Sequence, residues 1–282
     1  MKTRTFSHPV RLGLLLLATT YTLSLVLAIS LTAAPPAANA ARVASTDAKK
    51  KVYLPLVTKP RATSGGSCQP IPGASYTTMP PSYPIPGAEN NHLINVGLRG
   101  YEPINAHRGL ITTGGQGDPN APQFPGLFAN NRTATFRTVY AIHKWDESCK
   151  CPSPVLVTAP EVSLAGLATT AGEIIHLPDS GYDIGGGYDA LVLYADADSL
   201  TVKYTREDDI VSGYTLYLEK VCVEPNLLAL YRSSNAAGRD QLPVLRGRQP
   251  LGRATGQEIG VAVRDSGRFQ DPRVRNAWWL GR

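Results

Sequence analysis

Residues 190–218 read ALVLYADADSLTVKYTREDDIVSGYTLYL, and this stretch decides the fold class. Residues 190–194 form a compact apolar run, residues 200–205 alternate between apolar and polar, and residues 213–218 alternate again after a polar turn. Apolar residues at every second position are typical of a strand that buries one face. Because short polar connections join the three segments, they predict an antiparallel meander.

The same alternation predicts strands at residues 135–142 and 259–263. One short helix is predicted near 225–237, because Pro225 suits a first helical turn and Gly238 suits the residue after a helix end. With 26 glycines and 23 prolines, the composition favours strands and turns over helices. We therefore expect a mainly β protein, an antiparallel β-barrel or sandwich with one short helix, preceded by a Pro-rich extended segment.

Composition divides the chain into three parts. Residues 1–40 predict a signal peptide, residues 41–90 a Pro-rich linker or stalk, and residues 91–282 a β-rich exported domain with a barrel-like core at about 161–275. The proline density of the second part prevents a regular helix or a central strand and favours extended chain. Plain disorder is the alternative for that segment.

The first 40 residues show the three-part pattern of a secretory signal. Basic residues precede an uncharged run at 12–34, and Ala-Asn-Ala at 38–40 offers a cleavage site before Ala41. The basic residues are Lys2, Arg4 and Arg11. An uncleaved membrane anchor is the alternative, because the run is long enough to span a bilayer. In both cases the rest of the chain is exported, to the cell surface or the exterior, and membrane contact is expected only if the anchor stays.

Loss of this segment changes the charge balance. Its three basic residues and no acid leave with it, so the net charge of +6 falls to +3, which weakens a nucleic-acid interpretation. Residues 232–282 hold ten Arg, four acidic residues and no Lys. Arg side chains bind carboxylates and phosphates, so a polyanionic envelope polymer is one expected partner. An ordinary solvated surface with internal Arg–Asp pairs is the alternative.

The four cysteines, Cys68, Cys149, Cys151 and Cys222, all follow the signal. Export permits disulfides. A bridge between Cys149 and Cys151 is expected to be strained, so each should pair with either Cys68 or Cys222, in one of two ways. A four-Cys zinc site is the alternative, although C-x-C is shorter than the usual ligand spacing.

Motifs for familiar hydrolytic chemistry are absent from the sequence. It contains no G-x-S-x-G elbow, no phosphate-binding loop and no close histidine pair. The adjacent Trp278 and Trp279 are expected either to pack against the sheet or to contact a glycan ring.

From about residue 161 to 275, the order of short segments resembles the lysostaphin-type zinc endopeptidases. The segments that match the family pattern are 179–184 (DSGYDI), 199–202 (SLTV), 213–218 (GYTLYL), 248–252 (RQPLG) and 258–272 (EIGVAVRDSGRFQDP). The resemblance implies a β-barrel that works at the cell envelope.

The departures from that family affect its zinc ligands. In the first family segment, Asp179 takes the place of the histidine, whereas Asp183 matches the aspartate. Glu258 and Gly260 take the places of the two histidines of the H-x-H pair. Ser233 takes the place of the histidine in the Y-x-H element. The family reaction needs zinc to activate water. Oxygen ligands alone would suit Ca²⁺ or Mg²⁺ better than zinc. The resemblance therefore implies a non-catalytic relative.

Three functions remain open from the sequence. The first is a peptidase-like module without catalysis that binds glycan, peptidoglycan or an envelope protein. The second is a divergent metallohydrolase whose metal is held by Asp179, Asp183 and Glu258. The third is a purely structural surface protein whose proline-rich segment serves as a spacer.

Overall fold

The computed structural model describes residues 68–115, 117–206 and 209–281. The predicted signal peptide and the first part of the predicted linker lie outside these residues. Within them, no helix combines the length and the apolar character needed to cross a bilayer.

Short strands dominate the described chain, as the sequence predicted. They are β1 Thr77–Met79, β2 Tyr101–Pro103, β3 Phe136–Asp146, β4 Cys151–Leu156, β5 Leu164–Ala168, β6 Ile174–His176, β7 Ala190–Ala195, β8 Ser199–Lys203, β9 Tyr214–Glu219, β10 Val221–Val223, β11 Leu242–Leu245, β12 Pro250–Ala254, β13 Glu258–Asp265 and β14 Arg268–Gln270.

All paired strands run antiparallel and form two sheets. The large sheet has the order β1-β11-β7-β8-β9-β13-β5-β3-β2, with β14 on β13 and β4 on β3. The predicted meander is its centre, where Leu191 faces Lys203 across β7 and β8, and Leu200 faces Leu218 across β8 and β9. A second sheet has the order β10-β12-β6.

The two sheets share one apolar core, which makes the fold a sandwich. The core joins Leu218 and Ile259 of the large sheet to Ile175 and Leu251 of the small one. The barrel that was expected does not close, because the large sheet ends at β1 on one side and at β2 on the other. The sandwich form of the fold expectation is confirmed.

The predicted helix is α1, Pro225–Ala236. Pro225 stands in its first turn, and the Glu224 carboxylate caps it by accepting a 2.9 Å hydrogen bond from the Leu227 amide. The helix buries Leu227 and Tyr231 against the core. A second short helix, α2 (Arg275–Trp278), was not predicted.

Residues 68–90, which were assigned to a stalk, pack on the sandwich instead. Strand β1 extends the large sheet by pairing with β11, and Ile71, Ile85 and Ala88 are buried. The Tyr76 hydroxyl donates a 2.8 Å hydrogen bond to the Pro250 carbonyl. Prolines forbid a central strand but are compatible with an edge strand, so the apolar residues between them can still be buried.

The disulfide pairing differs from the expected one. Cys68 joins Cys222 with a Cα–Cα distance of 5.8 Å, and Cys149 joins Cys151 at 5.2 Å. Both distances lie in the usual range for disulfides. The close pair forms because Lys150 adopts a positive φ of 52° between the two cysteines, which turns the chain back on itself. All four thiols are therefore used, and the four-Cys zinc alternative is wrong.

The two bridges should differ strongly in their effect on stability. Cys68–Cys222 has a sequence separation of 154, whereas Cys149–Cys151 has a separation of 2. Since a bridge stabilises mainly by restricting the unfolded chain, we expect C68S/C222S to lower the free energy of unfolding by about 2–5 kcal/mol. The control C149S/C151S should cost only about 1–1.5 kcal/mol, because its loop is so short. Chemical denaturation measures both, and equal losses would contradict the prediction.

Candidate functional site

The three carboxylates proposed as metal ligands are engaged in separate local interactions. Asp183 caps a glycine turn by accepting hydrogen bonds from the Gly185 and Gly187 amides at 2.7 and 3.2 Å. Asp179 lies against Gly247, and Glu258 begins β13. No group of three or more His, Cys, Asp or Glu side chains in the described residues is placed to hold a metal ion.

The face of the large sheet that carries Glu258 is polar, yet it is buried. Polar residues alternate with core residues along β8, β9 and β13, as a solvent-facing surface would. The buried polar members of this face are Ser199, Thr201, Lys203, Thr215, Glu219 and Arg264. Glu219 is 0% exposed and Arg264 is 2% exposed. Something other than water must therefore satisfy their hydrogen bonds.

Residues 91–103 provide hydrogen-bond partners for several of these buried polar side chains, and we call this segment the cover. The Ile94 carbonyl accepts a 2.6 Å hydrogen bond from the Thr201 hydroxyl, and the Leu93 carbonyl accepts one from the Arg264 guanidinium. The Tyr101 hydroxyl donates to Glu219. The cover thus closes this polar face to solvent.

Two glutamates and three tyrosines form a cluster beneath the cover. Glu219 accepts hydrogen bonds from Tyr101 and from Tyr217, the latter at 3.2 Å. Glu258 accepts from the Tyr140 hydroxyl at 2.8 Å and from the Lys220 ammonium at 2.7 Å.

Two facing glycines of β5 and β13 make room for these carboxyl groups. A Cβ on Gly166 would lie 2.3 Å from Glu258, and a Cβ on Gly260 would lie 2.5 Å from Glu219. Gly260, which replaces a histidine in the resembled family, therefore has a packing role.

The electrostatics of the cluster favour a fixed ion pair. Burial alone raises the pKa of Glu258, but hydrogen bonds from Lys220 and Tyr140 outweigh it and hold the pKa below its usual 4.5. Burial lowers the pKa of Lys220, and Glu258 more than reverses that effect, so the net shift is upward. Burial, together with Glu219, raises the pKa of Tyr101, which stays a hydrogen-bond donor. Glu258 therefore stays ionised while Lys220 and Tyr101 stay protonated, and such fixed protonation states suit a structural role better than proton transfer.

The terminal tryptophans are buried, as the packing alternative for this pair expects. Trp278 is 4% exposed and Trp279 is 5% exposed. Phe124 stacks on Trp278 and meets Trp279 edge-on, both at 5.6 Å between ring centroids. Each indole N–H donates to a carbonyl, of Asp271 and Pro272 respectively. The packing alternative is therefore the one realised.

A cleft beside these tryptophans is open, and we call it the aromatic cleft. It has a volume of roughly 380 Å³. The side chains that give it chemical character are Asp118, Tyr214, Asp265, Gln270 and Asn276. Tyr214 is half-buried and meets Trp278 edge-on at 5.7 Å, so a core residue holds its ring in position.

Hydrogen bonds fix the polar wall of the aromatic cleft. Tyr182 donates a 2.7 Å hydrogen bond to Asp118. The Asn276 amide donates to the carbonyls of Thr113 and Gly115, at 3.2 and 2.8 Å, and so holds a glycine-rich loop against α2. Burial first, and then the charges of Asp118 and Asp265, raise the pKa of Tyr214, which therefore remains a neutral donor.

Sequence reasoning did not find the aromatic cleft. Its members come from four separate regions of the chain, and none belongs to a local motif. The one available signal was the tryptophan pair, because Trp278 is one of the residues that line the cleft.

Comparison with known proteins identifies no relative. No protein-family profile, no curated protein and no solved structure matches this chain.

The Glu258–Lys220 pair generates a pH-dependent prediction. Because the pKa of Glu258 is lowered on folding, its stabilising effect is present above pH 4.5 and is lost as the pH falls through the lowered value. We expect E258Q to cost about 1–2 kcal/mol at neutral pH, a figure reduced for the partial exposure of Lys220. The deficit should shrink as the pH falls through the lowered pKa of the wild-type carboxylate, where that carboxylate becomes protonated.

Urea unfolding across this pH range measures the deficit. The control D240N changes an exposed carboxylate that has no hydrogen bond or ion pair in the described residues, and its effect on stability should be small. A deficit of E258Q that stays constant between the two pH limits would refute the ion-pair account.

Proposed function

We propose that this protein is an exported, non-catalytic module of the cell envelope that binds a glycan in the aromatic cleft. The observation that carries the proposal is the composition of that cleft. The Tyr214 ring stands beside the planar polar side chains of Asp118, Asp265, Gln270 and Asn276.

This combination suits a sugar. A pyranose ring has an apolar C–H face that packs on an aromatic ring, and a rim of hydroxyls that both donate and accept hydrogen bonds. Carboxylates accept from hydroxyls, and amides can accept and donate at the same time. Binding pockets commonly combine an apolar surface with a few fixed polar groups.

The absence of catalysis is supported by the glutamate cluster. Glu258 takes a position that the resembled family gives to a zinc ligand, and here it is bound to Lys220 and Tyr140. Gly260, at the second ligand position, has no side chain with which to bind a metal. The cover lies over the same face. Metal-assisted hydrolysis needs convergent ligands and an open position, and this face supplies neither.

Export is the second element of the proposal. Disulfides persist in oxidising compartments, and the two bridges are consistent with a protein outside the cytoplasm. We expect expression of the full chain in a secreting bacterium to release a product that begins at Ala41. Intact-mass measurement of the exported protein tests this. A product that keeps residues 1–40 and fractionates with membranes would support the uncleaved anchor instead.

The binding proposal predicts retention on purified cell-wall sacculi and on a tetramer of N-acetylglucosamine. Tyr214 provides the sugar-stacking surface, so we expect Y214A to weaken binding about fivefold or more, since aromatic contacts are worth about 1 kcal/mol or more each. Q270A removes a single hydrogen-bonding side chain from the same cleft and should weaken binding about threefold. Co-sedimentation and calorimetric titration measure the two.

Two controls keep the result interpretable. Y188A removes a half-buried tyrosine that packs with Arg246, outside the aromatic cleft, and should bind as the wild type does. Thermal melting of every variant separates lost binding from lost folding. No retention of the wild-type protein would favour the structural surface protein. Release of new reducing ends from the tetramer would show that the cleft is catalytic, contrary to the proposal.

A further inference from the structure

A second cleft adjoins the aromatic cleft and has the opposite charge. We call it the arginine cleft, and its charged side chains are Arg99 and Arg268. Its apolar wall includes Val157 and Phe269, and Pro160 and Gln270 line both clefts. The two clefts are therefore parts of one groove that changes from acidic and aromatic to basic.

The cations around the arginine cleft lack acidic partners. Arg99, Arg264 and Arg268 form no ion pair within the described residues. Asp265 faces Arg268 across the hairpin of β13 and β14, yet does not pair with it. Glu147 acts on Arg99 without forming an ion pair with it, and His92 lies between them, 2.9 Å from the carboxylate and 2.8 Å from the guanidinium.

Two of these arginines are close to the same aromatic ring. The guanidinium carbons of Arg99 and Arg264 lie 5.5 and 5.8 Å from the centroid of Phe269. Nε of Arg99 and one terminal nitrogen of Arg264 are buried without a hydrogen-bond partner. Burial first, and then the charge of Arg99, lower the pKa of Arg264 to about 10. Cations held together in this way gain stability from an anion nearby.

Most other arginines of the C-terminal region already have partners in the fold. Backbone carbonyls accept hydrogen bonds from the side chains of Arg239, Arg246, Arg248, Arg253 and Arg273. Arg273 also pairs with Asp271 and Glu161. Arg268 is exposed, lines the groove and has no such bond from its side chain. It is free to meet a ligand.

We propose that the glycan is anionic, and that Arg99 and Arg268 bind its carboxylate or phosphate group while its sugar rings lie in the aromatic cleft. The sugar part of this inference rests on the proposed function, whereas the anion site rests on the arginine cleft alone. Asp118 and Asp265 repel the charged group from the first cleft, and the arginines attract it to the second, so the ligand has one orientation.

The experiment compares ligands of equal length by calorimetric titration of the mature protein. The probes are the neutral tetramer of N-acetylglucosamine, tetragalacturonate for the carboxylate form, and a phosphorylated mannose tetramer for the phosphate form. We expect at least one anionic probe to bind about tenfold tighter than the neutral one at low salt. This advantage should fall when the salt is raised from about 0.05 to about 0.5 M, because the Arg groups are partly exposed.

Variants assign the preference to the arginine cleft. R268Q should remove most of the preference for anionic probes, whereas R268K should keep part of it because the charge remains. R99Q should reduce the same preference independently. R232Q changes an exposed arginine on α1 and should leave it intact. Melting temperatures check that each variant is folded.

The outcomes separate this inference from the proposed function. If neutral and anionic probes bind equally, the anion site is refuted and the glycan module stands. If the anionic probes bind but Y214A has no effect, the anion site stands and the sugar site is refuted. Binding of no probe would count against both.

Discussion

The polar side chains on the buried face of the central strands must form their hydrogen bonds without water, and this requirement determines how the surrounding chain packs. Strands β8, β9 and β13 place Lys203, Glu219 and Arg264 on a face that is closed to solvent. A buried charge without partners costs several kcal/mol. Carbonyls and hydroxyls of the cover meet much of this demand, so the segment 91–103 is as much part of the core as the strands beneath it.

The cover also determines where a ligand can bind. It lies over the polar face of β8, β9 and β13, and it includes Arg99, whose side chain lines the arginine cleft. An open groove runs beside the β13–β14 hairpin, where the arginine cleft and the aromatic cleft share Pro160 and Gln270. A ligand in this groove would therefore contact the edge of the cover and not the polar face beneath it.

The strands and the helix were predictable because their signals are local. Alternation in β8 and β9, or Pro225 at the start of α1, depends on a few neighbouring residues. The same alternation was misleading about exposure, since Thr201 and Glu219 appear solvent-facing in the sequence but lie under residues more than 100 positions away. The pairing of Cys149 with Cys151 depends on a positive φ at Lys150, a residue type that gives no warning of it. The aromatic cleft unites residues from Asp118 to Asn276, so no window of sequence contains it.

The tryptophan pair shows how a correct residue can suggest the wrong contact. Two adjacent aromatic residues near a chain end suggest a sugar-binding platform, but both rings face the core and their N–H groups are held by backbone carbonyls. Trp278, although mostly buried, lines the aromatic cleft and also holds the ring of Tyr214 in place by an edge-on contact. A sugar contact gains most when the aromatic ring is already immobile, because binding then costs little side-chain entropy. Burial of the tryptophans is thus compatible with the glycan proposal and supplies the rigidity that an exposed pair would lack.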